Sequence, residues 1–68
     1  MEEDRLALKE AASEAQDVLD FRAERLNKKE EGFLRDIIIN NEDPTFPYEF
    51  LTEKQTSWLH AIFDRTMK

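Results

Sequence analysis

The chain has 68 residues, of which 38% are charged, with a formal net charge of −6 and no cysteine. This length supports one small domain, and the missing cysteines exclude disulfides and thiolate metal sites. The missing cysteines also fit a reducing compartment, so we expect a cytoplasmic protein. The acidic balance opposes binding to nucleic acid or anionic membranes. No apolar run is long enough to span a bilayer, and the start MEEDR is acidic where a signal peptide is basic, so we expect no membrane contact.

The first segment, residues 2–26, is predicted to form one long helix. It contains neither glycine nor proline and is rich in alanine, leucine, glutamate and arginine, which favour helices. A narrow apolar stripe follows it at helical spacing: Leu8, Ala12, Ala15, Leu19 and Leu26. Because the stripe contains alanines, a second helix can approach closely. The stripe therefore indicates either core packing within the monomer or the seam of a homodimer.

The same helix carries an acidic face that recurs at steps of four and three: Glu10, Glu14, Asp17 and Asp20. Like charges at this spacing destabilise a helix slightly, so the face is not optimised for stability alone. It is either a solvated surface, an imitation of the spaced phosphates of DNA, or a contact for a basic patch on a partner protein.

A basic cluster follows directly: Arg22, Arg25, Lys28 and Lys29. Basic side chains are favoured near the C-terminus of a helix by its dipole, which is the simpler interpretation. The alternative is a small nucleic-acid contact. Four charges without interleaved aromatic residues support only a weak, salt-sensitive interaction.

A second, short helix is predicted over residues 33–40. Asn27 and Glu30 have the spacing of a capping box, so this helix could also begin there, whereas Gly32 could instead end the first helix. Four side chains at helical spacing form its apolar face: Phe33, Leu34, Ile37 and Ile38. Ile39 widens this face.

A loop of residues 40–50 follows, marked by turn residues and both prolines of the chain. Three aromatic side chains, Phe46, Tyr48 and Phe50, alternate along it. Exposing three rings is unusual for a protein of this size. They either cover the open end of the helical core or form a docking surface.

The stretch LTEKQTSWLHAIFDR, residues 51–65, predicts a well-capped third helix. Thr52 and Gln55 form a second capping box, and Glu53 and Arg65 have the charges that the helix dipole favours at its two ends. Its broad apolar face consists of Trp58, Leu59, Ile62 and Phe63. With Trp58 as a core anchor, the change Trp58→Ala would cost about 3 to 5 kcal/mol.

The pattern of Leu51, Thr52, Lys54, Gln55, Trp58, Leu59 and Ile62 resembles the LTxKQxxWLxxI stretch of small helical proteins of tailed phages and other mobile elements. In those proteins an aromatic-led FLxxI helix often precedes the stretch, as GFLRDII does here. The resemblance covers about half the chain. It implies an accessory role beside phage DNA metabolism, including recombination and helicase functions.

Catalytic chemistry finds little support in the sequence. His60 is the only histidine, and with Asp64 one helical turn later it indicates a surface pair rather than a metal site, which needs three or four ligands. Both serines fall within predicted helices, and one glycine cannot build a phosphate-binding loop. We therefore expect a protein that is not an enzyme, with no catalytic residues, no cofactor and no metal.

Together these patterns predict a single all-α domain of three helices. The favoured function is an accessory protein of phage or mobile-element origin that contacts another protein, such as a DNA-processing helicase or recombinase. Two alternatives stay open. One is an acidic inhibitor that imitates DNA on a host nuclease or defence protein, and the other is weak, direct nucleic-acid binding. A homodimer through the alanine stripe also stays open.

Overall fold

The computed structural model describes residues 5–67 and shows three α-helices within them. These are α1 (Leu8–Phe21), α2 (Lys28–Glu42) and α3 (Glu53–Met67), with a short 3-10 turn at Ala23–Arg25 between α1 and α2. The all-α fold predicted from the sequence is confirmed. Among these residues no helix is both long enough and apolar enough to cross a bilayer.

Helix α1 begins later than the sequence predicted, because the residues before it are extended. Ala7 has extended backbone angles and forms an isolated antiparallel bridge with Phe50 in the loop before α3. The amide of Leu8 donates to the carbonyl of Glu49 at 2.7 Å, which satisfies one of the free amides at the helix start. The prediction of one helix over residues 2–26 is thus wrong at residues 5–7, and residues 2–4 lie outside the described part.

Helix α1 also ends before Leu26, again contrary to the prediction. After Phe21 the backbone leaves the helix at Arg22 and makes the 3-10 turn. The guanidinium of Arg22 lies 4.7 Å from the ring centre of Phe63, and Arg25 donates to the carbonyl of Thr66 at 3.2 Å. Both partners belong to α3, so leaving the helix lets the two arginines hold the end of α3.

Helix α2 begins at the first predicted capping box. The amide of Glu30 donates to Oδ1 of Asn27 at 2.8 Å, and the amide of Asn27 donates to Oε1 of Glu30 at 3.1 Å. The capping box is confirmed, and α2 is longer than the predicted residues 33–40. Gly32 lies inside α2 rather than at the end of α1, so the alternative placement is wrong.

Replacing Gly32 by alanine is expected to stabilise the protein by about 0.5 to 1 kcal/mol. Gly32 is exposed and helical, and a Cβ atom built on it meets no atom within 4 Å. Alanine would therefore reduce the entropy of the unfolded chain without a clash. Urea unfolding of Gly32→Ala beside the parent protein measures the gain; a loss of stability would contradict the helical assignment at this position.

Helix α3 begins at the second predicted capping box, which is also confirmed. The amide of Gln55 donates to Oγ1 of Thr52 at 3.1 Å, and the amide of Thr52 donates to Oε1 of Gln55 at 2.9 Å. Near the other end of α3, the guanidinium of Arg65 pairs with the buried carboxylate of Glu30. Since Glu30 also caps α2, one carboxylate joins the start of α2 to the end of α3.

The core lies between the three helices, and α1 packs mainly on α2. The alanine stripe of α1 is part of this core: Leu8, Ala12 and Ala15 are buried, and Leu19 and Leu26 pack against them. The stripe is therefore core within one chain, and its interpretation as a homodimer seam is wrong. Further residues that the sequence patterns did not assign to the core are buried as well: the apolar Ala11, Val18 and Leu51, and the polar Thr56 and Thr66.

The predicted core of α2 and α3 is confirmed in part. Four of its residues are buried and three are half-buried against the core; the buried ones are Leu34, Ile37, Leu59 and Ile62, and the half-buried ones are Phe33, Ile38 and Phe63. The remaining residue, Trp58, is 41% exposed, so its assignment as a core anchor is wrong. Ile39 is 60% exposed and does not widen the buried face.

Trp58 packs against the outside of the core rather than inside it. Its ring stacks on that of Phe33, with the ring centres 4.3 Å apart and an angle of 21° between the planes. This stack joins α3 to α2. Trp58 was wrongly assigned to the core because it lies on an apolar helix face, and spacing does not show which edge of such a face a neighbouring helix covers.

The change Trp58→Ala is accordingly expected to cost about 1 to 2 kcal/mol, because the ring is only partly buried and its stack with one aromatic partner is worth about 0.5 to 1.5 kcal/mol. A double-mutant cycle with Phe33→Ala should show a coupling free energy of about 0.5 to 1.5 kcal/mol between the two rings. Urea unfolding of the two single variants and the double variant measures it. Additive effects would show that the two rings do not stabilise each other.

Candidate docking groove

The loop between α2 and α3 starts with a tight turn around Asp43. Oδ1 of Asp43 accepts the hydroxyl of Thr45 at 2.7 Å and its amide at 2.9 Å. These two hydrogen bonds, the hydroxyl first, lower the pKa of the Asp43 carboxyl below its ordinary value. Because the folded-state pKa is lowered, the resulting stabilisation is present above the unfolded-state pKa and is lost as the pH falls through the folded-state pKa.

The end of the loop is fixed by the extended segment before α1. The amide of Leu51 donates to the carbonyl of Leu6 at 2.9 Å, and the amide of Leu6 donates to Oγ1 of Thr56 at 3.0 Å. Nε of Arg5 donates to the carbonyl of Leu51 at 2.8 Å. Hydrogen bonds therefore hold the loop at both ends, and its aromatic side chains extend from an ordered backbone.

The three aromatic side chains of the loop differ in burial. Phe46 packs against the core, whereas Tyr48 is 64% exposed and Phe50 is 49% exposed. The rings of Phe46 and Tyr48 meet edge to face, with centres 5.6 Å apart and an angle of 73°. Of the two interpretations made from the sequence, covering the core applies to Phe46, and the exposure needed for docking applies to Tyr48 and Phe50.

These rings line a concave surface between the loop and α2, which we call the aromatic groove. Its volume is about 580 Å³. Helix α2 contributes one helix face to its lining: Phe33, Asp36, Ile37 and Asn40. The loop contributes alternate aromatic residues, Phe46, Tyr48 and Phe50, and the start of α3 adds the side-chain amide of Gln55. The sequence patterns indicated the loop rings as a docking surface but did not indicate the residues of α2 that form the facing wall. Their spacing of three and four within residues 33–40 is the signal that could have placed them on one helix face.

Two charged residues line the aromatic groove and have different surroundings. The guanidinium of Arg5 lies 5.8 Å from the ring centre of Phe50 and is tied to the loop backbone. Asp36 is exposed and forms no hydrogen bond or ion pair with any residue between 5 and 67. The groove therefore contains one cation that is already held and one carboxylate that is available.

The predicted acidic face is partly engaged within the chain. Asp17 pairs with Arg22 at 3.3 Å, and Oδ1 of Asp20 accepts from the side-chain Nε2 of Gln16 at 2.8 Å. Glu14 lies with these two aspartates at a shallow depression, and Glu10 is exposed one turn before Glu14. The role of this face as a DNA mimic stays a prediction, with two of its four carboxylates already bonded.

The predicted basic cluster is divided between two environments. Arg22 and Arg25 contact α3, whereas Lys28 and Lys29 are exposed at the start of α2. A phosphate-binding role for the four residues stays a prediction. The contacts of the two arginines give them a structural role that the dipole interpretation did not include.

His60 is exposed on α3, one turn before Asp64, at the edge of an open depression that also contains Lys54 and Ser57. Over residues 5–67, no three histidine, aspartate or glutamate side chains are grouped so that they could hold a metal ion.

Comparison of this chain with models of known protein families, with curated proteins and with solved structures gives no match. A functional hypothesis therefore depends on the residues of the chain itself. Among its surfaces, the aromatic groove combines concave shape, exposed rings and an available charge.

Proposed function

We propose that this chain is a non-enzymatic interaction protein that binds a segment of another protein in the aromatic groove. The observation that carries this proposal is the exposure of Tyr48 and Phe50 beside a concave surface of about 580 Å³. Aromatic side chains are enriched among the residues that dominate binding energy at protein interfaces. An exposed ring on an ordered backbone loses little conformational freedom when a partner binds.

The nature of the partner is a second part of this proposal. The likeness of LTEKQTSWLHAI to phage and mobile-element proteins supports a role in the cytoplasm beside a DNA-processing protein, such as a helicase or recombinase. The exposed loop supports a protein contact over a direct nucleic-acid contact, because its three rings are not accompanied by a basic stripe along a strand-binding channel.

The experiment is a selection of peptides from a random displayed library on the immobilised full chain, followed by measurement of their affinities. We expect selected peptides to bind Tyr48→Ala and Phe50→Ala at least tenfold more weakly, which corresponds to about 1.4 kcal/mol. The matched control is Ile39→Ala, because Ile39 is equally apolar and exposed but lies outside the groove. Its affinity should stay within about twofold of the parent's.

Two results would contradict the proposal. One is a selection that yields no peptide above background. The other is a set of peptides that bind Tyr48→Ala and Phe50→Ala as well as they bind the parent protein. Thermal unfolding of each variant shows that a loss of binding reflects the missing ring rather than a lost fold.

A further inference from the structure

We infer that the aromatic groove takes a lysine or arginine side chain of the partner, with Asp36 as its counter-ion and the loop rings beneath its aliphatic stem. This inference rests on the proposed function, since it names the chemistry of the segment that the groove binds. It commits to a basic protein segment, as opposed to a purely apolar one or an acidic one.

The position of Asp36 is the first argument. Asp36 lies on the α2 wall of the groove, three residues after Phe33 and four before Asn40, and thus on the same helix face as both. It has no hydrogen-bonding or ionic partner among residues 5–67. A partner that covers this groove removes water from the carboxylate, which is costly unless the partner brings a compensating charge or donor.

The aromatic rings are the second argument. A cation placed over an aromatic face is attracted by the ring, and arginine is the most common cation in such contacts. The groove already shows this chemistry at one end, where the guanidinium of Arg5 lies 5.8 Å from the ring centre of Phe50. The exposed ring of Tyr48 offers a second face, which a cation from the partner can cover.

The charge of the whole chain is the third argument. A net charge of −6 attracts a basic segment and repels an acidic one during approach. The neutral amide of Asn40 adds polar groups on the same wall without adding a positive charge. The cation that lines the groove, Arg5, already donates to the carbonyl of Leu51 and lies over the ring of Phe50. An acidic segment would therefore meet the uncompensated charge of Asp36, and an apolar segment would cover Asp36 without pairing it.

The test uses a random library of displayed twelve-residue peptides, selected in parallel on the full chain and on Asp36→Asn. Peptides selected on the parent protein should share a lysine or arginine at one fixed position. The tightest of them should bind about tenfold more weakly to Asp36→Asn, or after its basic residue is replaced by glutamine. The two changes together should cost little more than either one alone. The matched control is Glu42→Gln, which neutralises an exposed carboxylate of α2 outside the groove and should change the affinity less than twofold.

The outcomes separate this inference from the proposed function. Peptides that depend on Tyr48 and Phe50 but share no basic residue, or that bind Asp36→Asn unchanged, would overturn the inference and leave the proposed function standing. Selection of acidic peptides in the groove would do the same. A selection without any groove-dependent peptide would overturn both. Asp36 is exposed, so Asp36→Asn is expected to fold like the parent, and a thermal melt verifies this.

Discussion

Replacing Leu34 by alanine is expected to lower the free energy of unfolding by about 2 to 5 kcal/mol. Leu34 is fully buried on α2, in one cluster with Val18 of α1 and Leu59 of α3. Alanine at this position removes buried apolar volume from this cluster and leaves a cavity. A chain of this size has a total stability of about 3 to 10 kcal/mol, so the loss is a large part of it.

Urea unfolding followed by helical circular dichroism measures this loss. The matched control is Ile39→Ala, which removes a similar side chain from an exposed position of the same helix and should change the stability by less than about 0.5 kcal/mol. If Leu34→Ala is largely unfolded in buffer, the same change in the Gly32→Ala background with added sucrose restores a measurable transition. Equal effects of the two changes would contradict the burial of Leu34 in the core.

Replacing Ala15 by leucine is expected to destabilise the protein by about 1 to 3 kcal/mol or more. Ala15 and Ala11 have no exposed surface, and both lie on the helix that packs mainly on α2. Three additional carbon atoms at Ala15 need space that the two helices do not leave. Either α1 moves away from α2 or neighbouring side chains leave their preferred rotamers.

The control for Ala15→Leu is Ser13→Leu, because Ser13 is exposed on the same helix and receives the same leucine side chain. We expect its stability to change by less than about 0.5 kcal/mol. The measurement is again urea unfolding, combined with sedimentation equilibrium to detect any new oligomer. A stable Ala15→Leu monomer would show that the α1–α2 contact is looser than the burial of the two alanines indicates.

The parts of the fold that depend on local chemistry were predictable from the sequence. Both capping boxes, Asn27 with Glu30 and Thr52 with Gln55, form the expected hydrogen bonds and set the starts of α2 and α3. A cap needs only two residues three positions apart, so the sequence contains all of its information. The same holds for the helical class, since favourable residues fill each segment.

The limits of α1 were not predictable, because they depend on distant residues. Residues 2–26 favour a helix throughout, yet the bridge between Ala7 and Phe50 keeps the residues before α1 extended, and the contacts of Arg22 and Arg25 with α3 accompany its end. Tertiary contacts outweigh helix propensity in such cases. The exposure of Trp58 has a similar cause, since only packing decides which part of an apolar face is covered.

The aromatic residues that the loop contributes to the groove were predictable from the sequence, but the residues that face them were not. Alternating rings at Phe46, Tyr48 and Phe50 indicated a surface worth testing, whereas the approach of Asp36 and Arg5 to those rings requires the folded chain. Residues that are distant in sequence meet there through the packing of α2 and through the bridge before α1. Spacing along one helix cannot show such a meeting.

For the partner that we propose, the bridge between Ala7 and Phe50 would make the affinity of the groove depend on an equilibrium. Segments held by few hydrogen bonds open locally more often than the core does, and each opening of the segment before α1 would release the loop residues Tyr48 and Phe50. The apparent dissociation constant is then the intrinsic one divided by the fraction of molecules in which the segment is paired. A substitution such as Thr56→Val, which removes the acceptor for the amide of Leu6, would weaken partner binding without touching the partner. Conversely, partner binding would slow hydrogen exchange at Leu6 and Leu51, because the two equilibria are linked.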